Sequence, residues 1–528
     1  MRRPGAGGLD GGVMTEASDG QADDLPPLPR GRISTGVPGL DDILGGGLTP
    51  DRLYLLEGTP GTGKTTLALQ FLLEGAAEGQ RPLYVTLSET GEELRAAAAT
   101  HGWSLDAVDV FELVSEMGLD PDSEQTILHP SEIELGETVR EVIARVDEIR
   151  PARVVFDSLS ELRLLAQNPL RYRRQILALK QFFSRRSCTV LMLDDRTSEP
   201  GDLQLHSIAH GVVSLEQAPR QFGPERRRLR VVKMRGIKFR GGYHDFNLET
   251  GGVRVFPRLV AAEHHARFDP TARGTGSPEL DLLLGGGLVP GTNTLLLGPS
   301  GVGKTTTGVR CMLAALERGE PATYYLFDEG LATLLARSAA LGLDLAPHVA
   351  SGLLTILQID PAELSPGEFS ARVKAAVEDR GSRFVVIDSL NAYLHAMPGE
   401  EFLILQMHEL LSYLNQQGVT TLLALGQHGV VGEVRSDVDL SYLSDCILLF
   451  RFFEAAGQVR TALAVVKSRV NAHERTIREL RLTSQGLQVG QALGDFEGVL
   501  TGLPAYRGRI AMLPGEASAH DTARDAAP

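Results

Sequence analysis

At 528 residues the chain is longer than one domain of roughly 100–200 residues, and 42% hydrophobic with 23% charged residues is a globular composition that excludes wholesale disorder. Lys and Arg total 52 against 67 Asp and Glu, a net charge of −15, which argues against a general nucleic-acid or anionic-membrane coat. Cys188, Cys311 and Cys446 lie far apart in apolar surroundings, so neither a disulfide framework nor a zinc site is indicated and a reducing cytoplasm fits best.

In chain order, residues 1–30 are rich in Gly, Pro and Asp and lack the apolar centre of a signal peptide. Such a segment buries too little to offset its ordering entropy and is expected to be a disordered tail. A first folded segment, expected over 31–260, opens with TGVPGLDDILGGGL, Thr35 to Leu48, followed by LYLLEG and TPGTGKTT. Strands are expected near Leu53–Glu57, Leu83–Ser88, Val154–Asp157 and Thr189–Leu193, whose continuous apolar character suits burial on both faces. A helical period runs over Leu170–Arg186.

A second segment, expected over 266–503, repeats the first: TGSPELDLLLGGGL, Thr275 to Leu288, then NTLLLG and PSGVGKTT. Its strands are expected near Thr294–Leu297, Thr323–Phe327, Phe384–Asp388 and Thr420–Leu425, with a helix over Glu401–Gln417. The boundary falls near Pro257–Ala272, where strand-like alternation stops. Residues 504–528 read as a mostly disordered tail. Gly58 pairs with Gly298 and Glu89 with Glu329 at one and the same offset, so a whole domain is duplicated. Strand, Gly-rich loop, helix, strand, helix in each copy calls for an α/β fold with a mostly parallel sheet flanked by helices. No run approaches the roughly 18 apolar residues of a membrane helix.

Gly58-Thr59-Pro60-Gly61-Thr62-Gly63-Lys64-Thr65-Thr66 and Gly298-Pro299-Ser300-Gly301-Val302-Gly303-Lys304-Thr305-Thr306 both contain G-x-x-x-x-G-K-[ST]. The composition follows from the chemistry of holding ATP. Glycines let backbone N–H groups curl round phosphates at a helix N-terminus, the Lys reaches the β/γ oxygens, and Thr65 or Thr305 offers a hydroxyl to Mg²⁺. Asp157 and Asp388, each after an apolar run, supply a second hard oxygen for that metal; an Asp at a strand end also serves as a loop cap. Glu89, and Asp328 with Glu329, end the strand after each P-loop helix. In a parallel sheet that end lies at the phosphate rim, so these acids are eligible to orient or deprotonate an attacking water. Their bland alternative is an N-cap for the following helix.

Together these residues resemble the KaiC-like family of RecA-fold ATPases, from about Arg32 to Leu500. The duplicated T-G-x-x-x-L-D-x-x-L-G-G-G-L, the G-T-P-G-T-G-K-T-T loop and a K-x-R pair late in each half carry the likeness. The resemblance implies two tandem RecA-like domains, a nucleotide-dependent hexameric ring with ATP at subunit boundaries, and clock-type or signalling protein partners. It implies that Lys233 and Arg235, and Lys467 and Arg469 with His473, reach the γ-phosphate held by a neighbouring subunit, which is the logic of an arginine finger. Without the resemblance, a K-x-R on a strand is a solvated face. The family's paired glutamates are here Ser88-Glu89 and Asp328-Glu329, and Phe239 stands where the second half has His473. Its phosphate-accepting Ser and Thr are matched by Ser441 and Tyr442, making Ser441 the candidate for autophosphorylation. The competing function, a DNA-dependent RecA-like motor, is favoured only by Arg226–Arg240, a basic run without interleaved aromatic platforms.

Overall fold

The structure, a computed structural model, describes residues 31–113, 130–166, 168–196, 204–219, 223–395, 402–427, 441–484, 486–500 and 505–506. The expected N-terminal tail lies outside these residues. In the first half the order is α1 (Leu40–Ile43), β1 (Leu53–Glu57), α2 (Lys64–Ala77), β2 (Pro82–Thr86), α3 (Gly91–Thr100), β3 (Asp109–Glu112), α4 (Pro130–Ile149), β4 (Arg153–Asp157), α5 (Leu159–Ala166), α6 (Pro169–Ser184), β5 (Thr189–Asp194), α7 (Gln204–Ile208), β6 (Gly211–Ala218), β7 (Arg226–Met234), β8 (His244–Glu249) and β9 (Gly252–Phe256).

The second half runs α8 (Pro278–Leu284), β10 (Asn293–Gly298), α9 (Lys304–Glu317), β11 (Ala322–Leu326), α10 (Leu331–Ala340), α11 (Ala346–Ala350), β12 (Leu354–Gln358), α12 (Pro366–Glu378), β13 (Phe384–Asp388), α13 (Leu390–His395), α14 (Leu403–Gln416), β14 (Thr420–Gly426), β15 (Cys446–Ala455), β16 (Gln458–Ser468), β17 (Arg478–Thr483) and β18 (Gly486–Ala492). Within the span expected as a C-terminal tail, β20 (Ala505–Tyr506) pairs with β19 (Phe496–Glu497).

Two nine-stranded sheets share one topology: β3-β2-β4-β5-β1-β6-β7-β8-β9 and β12-β11-β13-β14-β10-β15-β16-β17-β18. The strands up to β6 and up to β15 run parallel, and the rest of each sheet is antiparallel. These are two RecA-like α/β domains in tandem. β1, β2, β4 and β5 are buried at every position, as crossover helices covering both faces require. One face packs Leu67, Phe71 and Leu72 of α2 against Tyr54 and Val155; the other packs Ile176 and Leu179 of α6 against Val154 and Val190. The second half repeats both layers.

Local chemistry trims the expected elements. β2 stops at Thr86, two residues short of the sequence reading, because the Thr86 hydroxyl accepts the backbone N–H of Glu89 at 3.0 Å and turns the chain. α6 starts at Pro169 behind Asn168, whose side chain accepts the Leu170 N–H at 2.8 Å. Arg153 is fully buried at the start of β4. Its guanidinium is satisfied by the carbonyls of Ser34 and Phe71, Gln80 and Glu78, and it lies over the Phe71 ring, which is what a buried cation requires. All three cysteines are buried, and burial pushes the thiols of Cys311 and Cys446 up to about 12 and about 11.

The halves touch through β8 and the N-terminus of α12. Asp245 accepts the Gly367 N–H at 2.7 Å, and Asn247 donates to Glu368 at 2.8 Å. Among the described residues no helix is long and apolar enough to cross a membrane.

Candidate functional site

In a parallel sheet the P-loop follows β1, whose neighbours β5 and β6 leave in opposite directions of the strand order, so the loop opens at a switch point. Gly61 and Gly63 sit at φ of +83° and +96°, where side chains are strained. A Cβ on Gly58 would stand 2.8 Å from the Leu215 carbonyl, so that loop tolerates no side chain at its first position. Lys64 opens α2 and bends back, donating to the carbonyls of Gly58 at 2.8 Å and Thr59 at 3.1 Å. Lys304 does the same with Gly298 at 2.8 Å and Pro299 at 2.7 Å. A phosphate held by each loop would therefore meet an ammonium already at its mouth.

The residues expected to hold the metal converge in both halves. Thr305 Oγ1 donates to Asp388 Oδ2 at 2.6 Å, and Thr65 Oγ1 lies 3.4 Å from Asp157 Oδ2. A tyrosine from the adjacent strand adds a third partner: Tyr84 OH donates to Asp157 Oδ2 at 2.5 Å and Tyr324 OH to Asp388 Oδ2 at 2.6 Å. Burial pushes the Asp157 carboxyl above its ordinary value, with the Tyr84 hydrogen bond opposing. Thr66 lies 3.5 Å from His101, and Thr306 is buried beside Thr305. In the second half a cavity of about 690 Å³ opens onto Lys304, Thr305, Asp328, Glu329, Arg337 and Asp388. Among the described residues no three His, Cys, Asp or Glu form a metal cage. Two protein oxygens per site fit an ion such as Mg²⁺, which keeps waters and takes substrate phosphate oxygens as its other ligands.

The helix-cap alternative for the acids meets a specific obstacle in the first half. Thr90, one residue after Glu89, caps α3 in a reciprocal capping box with Glu93. The α10 cap is Gly330, without a side-chain bond. Burial raises the Glu89 carboxyl above the ordinary range, and Asp157, Glu93 and Asp195 push it the same way. Glu329 is also raised, burial leading, but Arg337 opposes through an ion pair of 2.6 Å. Asp328 accepts a short hydrogen bond from Ser389 Oγ. Burial lowers the Lys304 ammonium, against the pull of Asp388 and Asp328.

The K-x-R pairs lie one strand beyond β6 and β15. Lys233 donates to the carbonyls of His206 and Ala209, Arg235 to Ser207 at 2.8 Å, Lys467 to Ser444 at 2.7 Å and Arg469 to Tyr442 at 3.3 Å. Both pairs thus rest on carbonyls of the segment that precedes the adjoining strand, α7 and Ala209 before β6, and Tyr442 and Ser444 before β15. His473 follows β16 and is half-buried. Residues 436–440 of the candidate phosphate-accepting stretch lie outside the described residues, as does the Ser441 side chain; its backbone opens a 3-10 turn, Ser441–Leu443.

Sequence reasoning passed over Tyr84, Tyr324, Asp195 and Arg337. The tyrosines read as core residues of an apolar strand, and only the pairing of β2 with β4 and β11 with β13 brings their hydroxyls to the aspartates. Asp195 falls just past the expected strand Thr189–Leu193, and its carboxylate lies 2.8 Å from Lys64 Nζ.

Two P-loops on RecA-like sheets, each with its Thr–Asp pair, define the class: a duplicated P-loop ATPase. The sequence matches the family described as ATPase: KaiC over residues 33–260 and again over 273–494, and the chain belongs to that family. It is 26% identical over 483 residues to the circadian clock protein KaiC3 of Synechocystis sp., covering 90% of this chain and 95% of the relative. It is 27% identical over 485 residues to the circadian clock oscillator protein KaiC of Prochlorococcus marinus, with the same coverage. Against the KaiC of Synechococcus elongatus it is 26% identical over 487 residues, 90% of this chain and 92% of that one.

Proposed function

We propose that the chain is a nucleotide-dependent hexameric ATPase of the cytoplasm that binds ATP with Mg²⁺ in both halves and serves as a signalling or timing ring. The observation that carries this is the repetition, in two independent domains, of a Lys bent over a glycine loop beside a Thr–Asp pair. Structural economy does not demand that arrangement twice; phosphate and metal binding do.

In this reading Lys64 and Lys304 take the β/γ oxygens, and Thr65 with Asp157 and Thr305 with Asp388 hold the metal. When bound, Mg²⁺ supplies charge neutralisation across the β- and γ-phosphates. Glu89 in the first half and Asp328 or Glu329 in the second orient the attacking water and accept its proton as its oxygen bonds to the γ-phosphorus. The bond to the β–γ bridging oxygen breaks, and ADP and phosphate leave. Raised carboxyl values at Glu89 and Glu329 suit proton acceptance near neutral pH. Lys233, Arg235, Lys467, Arg469 and His473 stabilise the γ-phosphate of an adjoining subunit, exchanging their own carbonyl partners for phosphate oxygens. Ser441 is a second acceptor, taking the phosphoryl group from ATP on the adjoining subunit through its hydroxyl oxygen and releasing a proton.

The test is a pair of variants, Lys64→Ala and Lys304→Ala, each measured for ATP binding, turnover and particle mass with and without ATP. Loss of ATP-dependent assembly in one and of turnover in the other supports a division of labour between halves. An unchanged mass with and without ATP in the parent protein sinks the ring. Strong stimulation of turnover by single-stranded DNA would favour the motor instead.

A further inference from the structure

The two P-loop lysines sit in different electrostatic settings. Lys64 Nζ is paired with Asp195 Oδ1 at 2.8 Å, with the lysine almost wholly buried and the aspartate 27% exposed. The other Asp195 oxygen lies 3.2 Å from Ser160 Oγ, which also accepts the Asp195 N–H at 3.3 Å. A second ionic contact lies alongside: Glu57, the residue before Gly58, is bonded by Arg196 at 3.0 Å and by His206 at 2.7 Å. The seam between the end of β5 and the P-loop is therefore held by side-chain charge.

The second half holds the same seam without charge. Strand register places Glu57 beside Asp194 and Leu297 beside Leu425, so the residues that follow, Asp195 and Gly426, are counterparts. Gly426 has no side chain to offer Lys304. Asn391, in the place of Ser160, bonds its backbone instead, donating to the Gly426 carbonyl at 3.0 Å and accepting its N–H at 2.5 Å. Leu297 replaces Glu57 and Gln427 replaces Arg196.

We propose that Asp195 is a positioning residue and a built-in competitor for the first site: it holds Lys64 through its ion pair and must yield it to an entering phosphate. The proposal rests on the reading of the first half as a nucleotide site. Each ligand whose phosphates reach Lys64 must break one partly buried ion pair, so the penalty falls alike on ATP and ADP and spares adenosine. Among the described residues no carboxylate is ion-paired with Lys304, on which Asp388 and Asp328 exert only a longer-range pull. The first half consequently favours phosphorylated ligands over adenosine less sharply than the second and releases nucleotide more readily.

The experiment uses the full chain carrying Lys304→Ala, so that the calorimetric binding of ATP, ADP and adenosine reports the first half. Adding Asp195→Asn or Asp195→Gly is expected to tighten ATP and ADP about tenfold, the scale of one charge-assisted contact, with adenosine unchanged. Asp195→Glu, which keeps the charge, is expected to stay near the parent. Unchanged or weakened ATP binding in both neutral variants overturns the proposal, and so does an equal gain for adenosine, which would mark general repacking. If the Lys304→Ala parent binds no ATP, the nucleotide reading of the first half fails; if it binds ATP and neutral residues at 195 change nothing, the competitor alone fails.

Discussion

Tyr324 donates its hydroxyl hydrogen to the very oxygen of Asp388 that accepts from Thr305, at 2.6 Å in both cases. One carboxylate oxygen is thus fixed from two directions before any metal arrives, and Tyr84 repeats the contact on Asp157. Partners of this kind orient a metal ligand and set its basicity.

Tyr324→Phe should therefore raise the Mg²⁺ concentration needed for half-maximal turnover by about tenfold, with little change in KM for ATP at saturating metal. Metal titration of turnover in the Lys64→Ala chain measures it. An unaltered metal requirement would make the phenol merely a core filler.

Arg337→Ala should move the acid limb of turnover toward higher pH. Burial already raises the Glu329 carboxyl, and Arg337 is the cation that opposes it. Without the guanidinium the protonated, inactive carboxyl persists to higher pH, so the variant loses more activity at pH 6 than at pH 8. A pH series in the Lys64→Ala chain reads this, with Arg337→Lys restoring part of the parent profile.

Asp157→Asn should stabilise the ligand-free protein while abolishing metal-dependent turnover in the first half. The folded-state value of Asp157 is raised. Its contribution to stability is therefore fully present below the ordinary aspartate value and is lost as pH rises through the raised one. At neutral pH the buried carboxylate is a cost that an amide removes, and Asn can still accept from Tyr84. A gain of about 2 °C in Tm at pH 7, shrinking toward pH 4, is expected from thermal scans.

Asp245→Ala should loosen the contact between halves. Its carboxylate caps a helix N–H of α12 at 2.7 Å, an interaction of about 1 kcal/mol. A lower first transition in thermal unfolding, with P-loop binding in the second half preserved, is the expected signature.

What could be read in advance followed from local rules. Glycine spacing marked both P-loops, and apolar runs marked β1, β4 and β13, because each needs only neighbouring residues to declare itself. Asp157 and Asp388 were legible by the same route. Tyr84, Asp195 and Arg337 were not, since each gains its meaning from a partner that only the folded backbone brings near, far along the chain for the first two and two helical turns back for Arg337. Tyr84 meets Asp157 through strand pairing, Asp195 meets Lys64 across the end of β5, and Arg337 returns to Glu329 over two turns of helix. The duplication hid Asp195 further, since it drew the eye to matched positions, while Asp195 faces a glycine in the other copy.

β8 sorts its residues by parity. Phe246 enters the first-half core and Leu248 packs where a Cβ on Gly63 would stand, while Asp245 and Asn247 bond α12 of the second half. Successive residues of a strand point to opposite faces, so a slip of one position would exchange the two sets at once. A single residue inserted into this strand would both thrust a polar side chain against the first P-loop and strip α12 of its bonds to Asp245 and Asn247. The strand therefore tolerates substitution far better than it tolerates a change in length.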